Sequence, residues 1–221
     1  MTRSKEDETM KVLAIGAHPD DVELGCGGTL MKHVSAGSDV RIVVVTNGEA
    51  QKGVDWHKRI VEAREAAGLL GADMCTLGYE ERNVCYQDHV LVGKIRKVVE
   101  DYDANIVYGH SPHDDHVTHI AVAEATIAAC KLAGVPCVYL FEVPSTRWNF
   151  VPSMLVDVTE HLDSKLAALE CFVSQADRYY MLKEMISGLA RTRAYEARLG
   201  PDAGGKLRAA EAFQVERMVL A

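Results

Sequence analysis

Ala17-His18-Pro19-Asp20-Asp21-Val22-Glu23-Leu24-Gly25-Cys26-Gly27-Gly28 directly follows the apolar run Val12-Leu13-Ala14-Ile15. A short β-branched run that ends in polar residues and glycines reads as a buried strand entering a helix. In an open α/β sheet the carboxyl end of a strand is where ligands are bound. A histidine and two adjacent carboxylates at that point are therefore candidates for chemistry. A His-x-x-Asp pair, His18 and Asp21, can supply nitrogen and oxygen ligands to a metal. The neighbouring Asp20 diverges from Asp21 and is left to act as a base. Its structural alternatives are a helix N-cap or a partner that orients a ligand.

Working outward, strand-like runs at Val12–Ile15, Arg41–Thr46, Met74–Leu77, Asn105–Tyr108 and Pro136–Phe141 alternate with helical patterns. The helical candidates are Gly27–Ala36, Trp56–Leu70, Val90–Tyr102 and Thr118–Ala133. This alternation predicts an α/β three-layer sandwich with a mostly parallel, Rossmann-like sheet flanked by helices. Gly25, Gly27 and Gly28 lack the spacing of a dinucleotide fingerprint, and no P-loop lysine follows. Close packing of helix on strand is the preferred reason for them. Further on, Tyr139–Val143 and Met154–Val158 flank the Pro-rich, aromatic stretch 144–152, read as a hairpin-like excursion at the sheet edge. That loop is either a wall of a substrate pocket or ordinary surface. Helices are expected at Thr159–Ser174 and Tyr179–Leu199, the second ended by Gly200-Pro201.

At 221 residues and 48% hydrophobic content, the chain is expected to form one domain over residues 11–221 after a disordered N-terminus, 1–10. A net charge of −8 argues against a protein that reads nucleic-acid backbones. The six cysteines show no Cys-x-x-Cys spacing and read as buried thiols of a reducing compartment. Neither a signal peptide nor a run of membrane-spanning length is present in the sequence, so a cytoplasmic protein without membrane insertion is expected. A homo-oligomer is compatible with these features.

A second polar cluster, His110-Ser111-Pro112-His113-Asp114-Asp115-His116-Val117-Thr118-His119, follows the strand ending at Tyr108. His116 and His119 are three residues apart, and a helix starting near Val117 lets both face one pocket. Joining the clusters gives His18, Asp21 and His119 as a ligand set with coordination positions left for water and substrate. A metal there would acidify water and polarise a carbonyl. The same donors also suit a non-haem iron(II) oxygenase, but the adjacent base and the parallel α/β pattern favour hydrolysis.

Together, AHPDDVELGCGGTL and later segments such as Thr46-Asn47-Gly48-Glu49, Arg59-Ile60-Val61-Glu62-Ala63 and Ala210-Glu211-Ala212-Phe213 resemble the PIG-L/LmbE-like family of zinc-dependent N-acetyl-sugar deacetylases. The resemblance implies that His18 and Asp21 bind Zn2+, with Fe2+ or another divalent metal as alternatives, and that Asp20 is the base. The family's second motif reads His-x-Asp-His. Aligned through Ala121-Val122-Ala123-Glu124, it makes His116 the acid or oxyanion partner and His119 the ligand, with Thr118 in place of the intervening Asp. Asp114 and Asp115 are candidates to replace that carboxylate. A second register, His113-Asp114-Asp115-His116, would make His116 the ligand.

Arg59 and Glu62 look like the family's Arg-x-x-Glu, with Arg59 reaching substrate or tying the sheet to the loop after Thr46; a surface ion pair is the competing reading. Tyr195 resembles a mobile pocket tyrosine of relatives, with a core tyrosine of the helix as the competing reading. The implied reaction is removal of acetyl from an N-acetylglucosamine-type sugar or conjugate, giving amine and acetate. An amidase or esterase on a non-sugar substrate, or a non-catalytic metal- or sugar-binding relative, stands as the alternative.

Overall fold

A computed structural model describes residues 9–48, 55–85, 87–197 and 207–219. Residues 1–8 of the expected disordered N-terminus, Glu49 and the Gly200-Pro201 helix stop lie outside the described residues. The elements run β1 (Lys11–Gly16), α1 (Asp21–Ser35), β2 (Asp39–Thr46), α2 (Trp56–Leu70), β3 (Asp73–Tyr79), α3 (His89–Tyr102), β4 (Ile106–His110), α4 (Val117–Ala133), β5 (Cys137–Phe141), β6 (Met154–Asp157), α5 (Leu162–Leu169), α6 (Lys183–Glu196) and β7 (Ala210–Met218).

The strands form one sheet in the order β3-β2-β1-β4-β5-β7-β6. β1 to β5 pair in parallel, as the βα alternation predicts. Their two-residue period feeds two cores. Val12 and Ala14 of β1 enter the layer built with α1, α2 and α5, while Leu13 and Ile15 enter the layer built with α3 and α4. Both faces are covered, which is why these strands read as continuous apolar runs rather than alternating ones.

The hairpin expected around residues 144–152 is corrected. β5 and β6 do not pair with each other, because β7 inserts between them antiparallel to both. The two expected C-terminal helices are also shorter than their patterns. Short 3-10 turns at Thr159–His161, Val173–Gln175 and Tyr179–Met181 flank α5 and precede α6. Of the cysteines, only Cys26 and Cys130 are buried, and Cys85 is exposed. No helix among the described residues is long and apolar enough to cross a membrane.

α1 begins six residues before its pattern suggested, and it is kinked at Cys26, whose φ of −144° is not helical. A kink strips backbone groups of their helical partners, and here a buried ion pair replaces them. Glu211 of β7 accepts from the amides of Gly28 and Thr29 at 2.9 and 2.7 Å. Lys165 of α5 donates to Glu211 at 2.6 Å and to the Leu24 carbonyl at 2.7 Å. The first turn of α1 is thereby set independently of the rest of the helix.

Gly25 lies in that turn against Phe141 of β5, and a Cβ there would stand 2.3 Å from the ring. Helix propensity favours Gly25→Ala by up to about 1 kcal/mol. Because Phe141 is fully buried, overpacking wins, and the substitution should destabilise the protein by about 1–3 kcal/mol. A urea midpoint equal to or above that of the parent would refute the close-packing account of this glycine.

Candidate active site

The sheet order reverses between β1, which continues to β2 on one side, and β4 on the other. Crevices at such switch points are where open α/β sheets bind ligands. The loop after β1 carries His18 to Asp21, and the loop after β4 carries Asp114 to His119 into α4. The two sequence clusters, about a hundred residues apart, meet there.

His18, Asp21 and His119 are all buried. Nδ1 of His18 lies 3.0 Å from Nε2 of His119 and 3.3 Å from Oδ2 of Asp21, while Nε2 of His119 lies 3.4 Å from Oδ1 of Asp21. Donor atoms bound at about 2.0–2.1 Å to a tetrahedral ion are roughly 3.3 Å apart, the scale of these spacings; among the described residues, His18, His116 and His119, and likewise Asp21, His110 and His119, each bring one donor atom within 4.8 Å of the others. Burial disfavours charge on His18, yet hydrogen bonds to Asp21 and Glu81 outweigh it and raise its pKa to about 10. Burial likewise opposes ionisation of Asp21, and His119 and His110 overcome it, holding the carboxyl well below its ordinary range. Carboxylates thus favour the cationic form of His18, and histidines favour the anionic form of Asp21.

The surrounding residues orient these groups, as metal ligands commonly require. Asp114 Oδ2 and Ser145 Oγ lie 3.3 and 3.2 Å from Nδ1 of His119, the nitrogen facing away from the cluster. His110, fully buried, has its pKa lowered to about 4 by burial and is neutral. Its Nε2 accepts from the Ala17 amide at 3.0 Å and lies 3.0 Å from Oδ2 of Asp21. In the sequence His110 stands out only as one of four histidines in ten residues. Its position two residues beyond the apolar run ending at Tyr108, as the last residue of β4, was the available signal.

Asp20 precedes α1 but does not cap it. It has φ 109° and no side-chain bond to the helix. A non-glycine residue in that region is strained, and such strain concentrates at functional sites. Arg59 holds the conformation. Its Nη2 donates to the Pro19 carbonyl at 2.8 Å and to Asp20 Oδ2 at 3.2 Å, and its Nη1 donates to the Gly48 carbonyl at 3.3 Å. Burial raises the Asp20 pKa to about 7 against the pull of Arg59. Arg59 is buried and lines the hollow, and it does tie the loop after Thr46 to the motif. Glu62, also buried, accepts from the amide and hydroxyl of Ser174 at 2.9 and 2.5 Å, so the pair is not a surface ion bridge.

His116 stacks on His119 with ring centroids 4.5 Å apart. Its Nδ1 is buried without a hydrogen-bond partner, and its Nε2 lies 3.6 Å from Oε1 of Glu81. Thr118 does not replace the missing Asp at the ring; its hydroxyl donates to Glu81 at 3.2 Å. Asp114 accepts from the His116 amide at 2.8 Å, while Asp115 pairs with Arg147 at the surface. Burial, then the neighbouring His18 and His119, lower the His116 pKa. Glu81, 3.0 Å from Nε2 of His18, was missed in the sequence because it sits in a 3-10 turn after β3 with no motif around it.

A hollow of about 380 Å³ opens over the cluster, walled by Leu24, Val143, Pro144, Ser145, Tyr179 and Tyr180 besides the polar residues. The Pro-rich loop is thus a pocket wall at Pro144 and Ser145, although Trp148 is 97% exposed. Tyr195 is corrected: it is 83% exposed on α6 and does not line the hollow, a place taken by Tyr179 and Tyr180.

The PIG-L family, described as GlcNAc-PI de-N-acetylase, matches residues 13–130, which hold both clusters. The chain belongs to this family. YaiS of Escherichia coli K12, named as an uncharacterized deacetylase, is 31% identical over 176 residues, covering 76% of this chain and 92% of YaiS. The 1D-myo-inositol 2-acetamido-2-deoxy-alpha-D-glucopyranoside deacetylase of Mycobacterium avium is 30% identical over 146 residues, or 50% of this chain and 49% of that enzyme. Among solved structures, GalB, the 4-carboxy-2-hydroxymuconate hydratase of Pseudomonas putida KT2440, superposes with a TM-score of 0.84 over 96% of this chain and 98% of its own. At 21% identity that likeness concerns the fold.

Proposed function

We propose that this PIG-L family chain is a divalent-metal-dependent N-deacetylase that hydrolyses the acetamido group of an N-acetylglucosamine-type sugar or conjugate. The observation that carries the reading is the convergence of His18, Asp21 and His119 at 3.0–3.4 Å beside the strained, buried Asp20. The acetamido-sugar substrate in the mycobacterial relative's name supports the substrate class.

His18, Asp21 and His119 would hold the ion, zinc by the nitrogen and oxygen donor set, with ferrous iron also accommodated. When bound, such an ion lowers the pKa of water and polarises a carbonyl. Asp20 takes the proton of the attacking water. His116 offers a ring N–H to the developing oxyanion, a role that needs a donor rather than a strong acid. Asp20 returns the proton to the departing amine, and acetate and free amine leave. Arg59 keeps Asp20 aimed, and Glu81 with Thr118 fixes the side of the site facing His116.

The test is incubation of metal-replete protein with N-acetylglucosamine, its glycosides and nucleotide sugars, with released amine and acetate measured together. Stoichiometric release that stops on chelation and returns with added zinc is expected. Absence of acetate from every acetamido sugar, with turnover of a non-sugar amide or ester, would replace the reading.

A further inference from the structure

The turn that carries Asp20 and Asp21 is held on both sides by buried cations. Arg59 of α2 grips the chain before it, through the Pro19 carbonyl at 2.8 Å and the Asp20 side chain at 3.2 Å. Lys165 of α5 grips the chain after it. Its Nζ donates to the Leu24 carbonyl at 2.7 Å, and the Leu24 amide donates to the Asp20 carbonyl at 2.9 Å. Leu24 alone therefore stands between the ammonium and the backbone of the proposed base.

Lys165 does not act by itself. In an unbroken α-helix the Gly28 amide would donate to the carbonyl four residues back, that of Leu24. Here the Leu24 carbonyl meets Nζ of Lys165, and the Gly28 amide meets Oε1 of Glu211 at 2.9 Å, with 2.6 Å between Nζ and Oε1. The series carbonyl, ammonium, carboxylate, amide thus occupies the place of one helical hydrogen bond, and the non-helical Cys26 lies inside the gap. Stability alone does not call for this arrangement. A closed helical bond needs no charge, whereas a buried ion pair carries a desolvation cost that apolar residues of similar volume avoid, often with no loss of stability. What the inserted pair supplies is the direction of the first turn.

We propose that Lys165 and Glu211 are positioning residues for the hydrolysis, acting through the Leu24 peptide to aim Asp20 and Asp21 at the reacting centre. The proposal rests on the deacetylase reading for the reaction it serves. Without the pair, the Leu24 carbonyl and Gly28 amide are free to bond to each other, which straightens α1 and swings its first turn away with both aspartates. A misplacement of about 1 Å is enough to cost about a hundredfold in rate.

Lys165→Met frees the Leu24 carbonyl while leaving Glu211 on the amides of Gly28 and Thr29. Lys165→Met/Glu211→Leu removes both charges at similar volume, so no buried carboxylate is left unpaired to unfold the protein. Bound zinc and kinetics are measured on the same samples with an acetamido sugar that the parent cleaves. A variant that merely folded less completely would bind less zinc and keep parental turnover per ion. In both variants, instead, kcat per bound zinc should fall about a hundredfold, with KM within about threefold of the parent. A double variant that melts like the parent yet takes up no zinc also upholds the role, because Asp21 has then moved. Parental kcat per bound zinc in either variant overturns the positioning role and leaves deacetylation standing. If the parent cleaves no acetamido sugar, the deacetylase reading fails and amide hydrogen exchange decides the positioning. At least about tenfold faster exchange over residues 19–26 in Lys165→Met, with residues 30–35 unchanged, upholds it, and unchanged exchange over 19–26 overturns it.

Discussion

Asp20→Asn is expected to fold, keep its metal and lose about a thousandfold in kcat. Asparagine is the informative replacement because it is among the few residues that tolerate a positive φ, and Asp20 sits at 109°. Its amide oxygen can still accept from Arg59, so the Pro19–Arg59–Gly48 tie survives. What disappears is the ability to take a proton, an effect typically worth 10²–10⁴ in rate. The pH profile gives an independent reading. Burial raises the Asp20 pKa to about 7, so parent kcat/KM should climb through neutrality as the carboxyl ionises. The residual activity of the variant should lack that limb.

Stability should move in the opposite direction. A carboxyl with a folded pKa above its unfolded value binds its proton more tightly when folded, so stability falls as pH rises from about 4 to about 7. Asp20→Asn removes that penalty. Its melting temperature relative to the parent should be higher at pH 8 than at pH 5. Near-parental turnover would overturn the assignment of Asp20 as base.

The strand-end position of the motif was legible because β1 to β5 are buried on both faces and each is followed by a helical period. The candidate site could be assembled from the sequence because its polar residues cluster at two such strand ends. β7 was not legible as a strand. Its residues alternate weakly, and it holds its place by pairing with β5 and β6, contacts that no local pattern encodes. The kink in α1 was hidden for a similar reason. Lys165 and Glu211, 141 and 183 residues away from the backbone groups they satisfy, make it possible. Glu81 has the same character, since only the approach of the β3 end to the other two clusters gives it meaning. GalB shows that this fold is also found in a protein named a hydratase. Fold alone therefore does not choose the reaction, and the residues at the site must.

Metal retention in three variants should separate the ligand from its neighbours. His119→Ala should come through gel filtration without stoichiometric metal, because its Nε2 is the donor facing both His18 and Asp21. Asp114→Ala should weaken metal affinity by about 10–100-fold, since it loses the carboxylate behind Nδ1 of His119 but not the donor itself. His116→Ala should keep one ion per chain while kcat falls by about 10²–10³ for want of an oxyanion donor. This ordering follows from the ring positions: His116 is stacked outside His119 with its side chain 41% exposed and its Nε2 turned toward Glu81. Elemental analysis of the purified variants, paired with single-substrate kinetics, reads both quantities. Loss of the ion in His116→Ala with retention in His119→Ala would transfer the ligand role to His116 and restore the register through His113-Asp114-Asp115-His116.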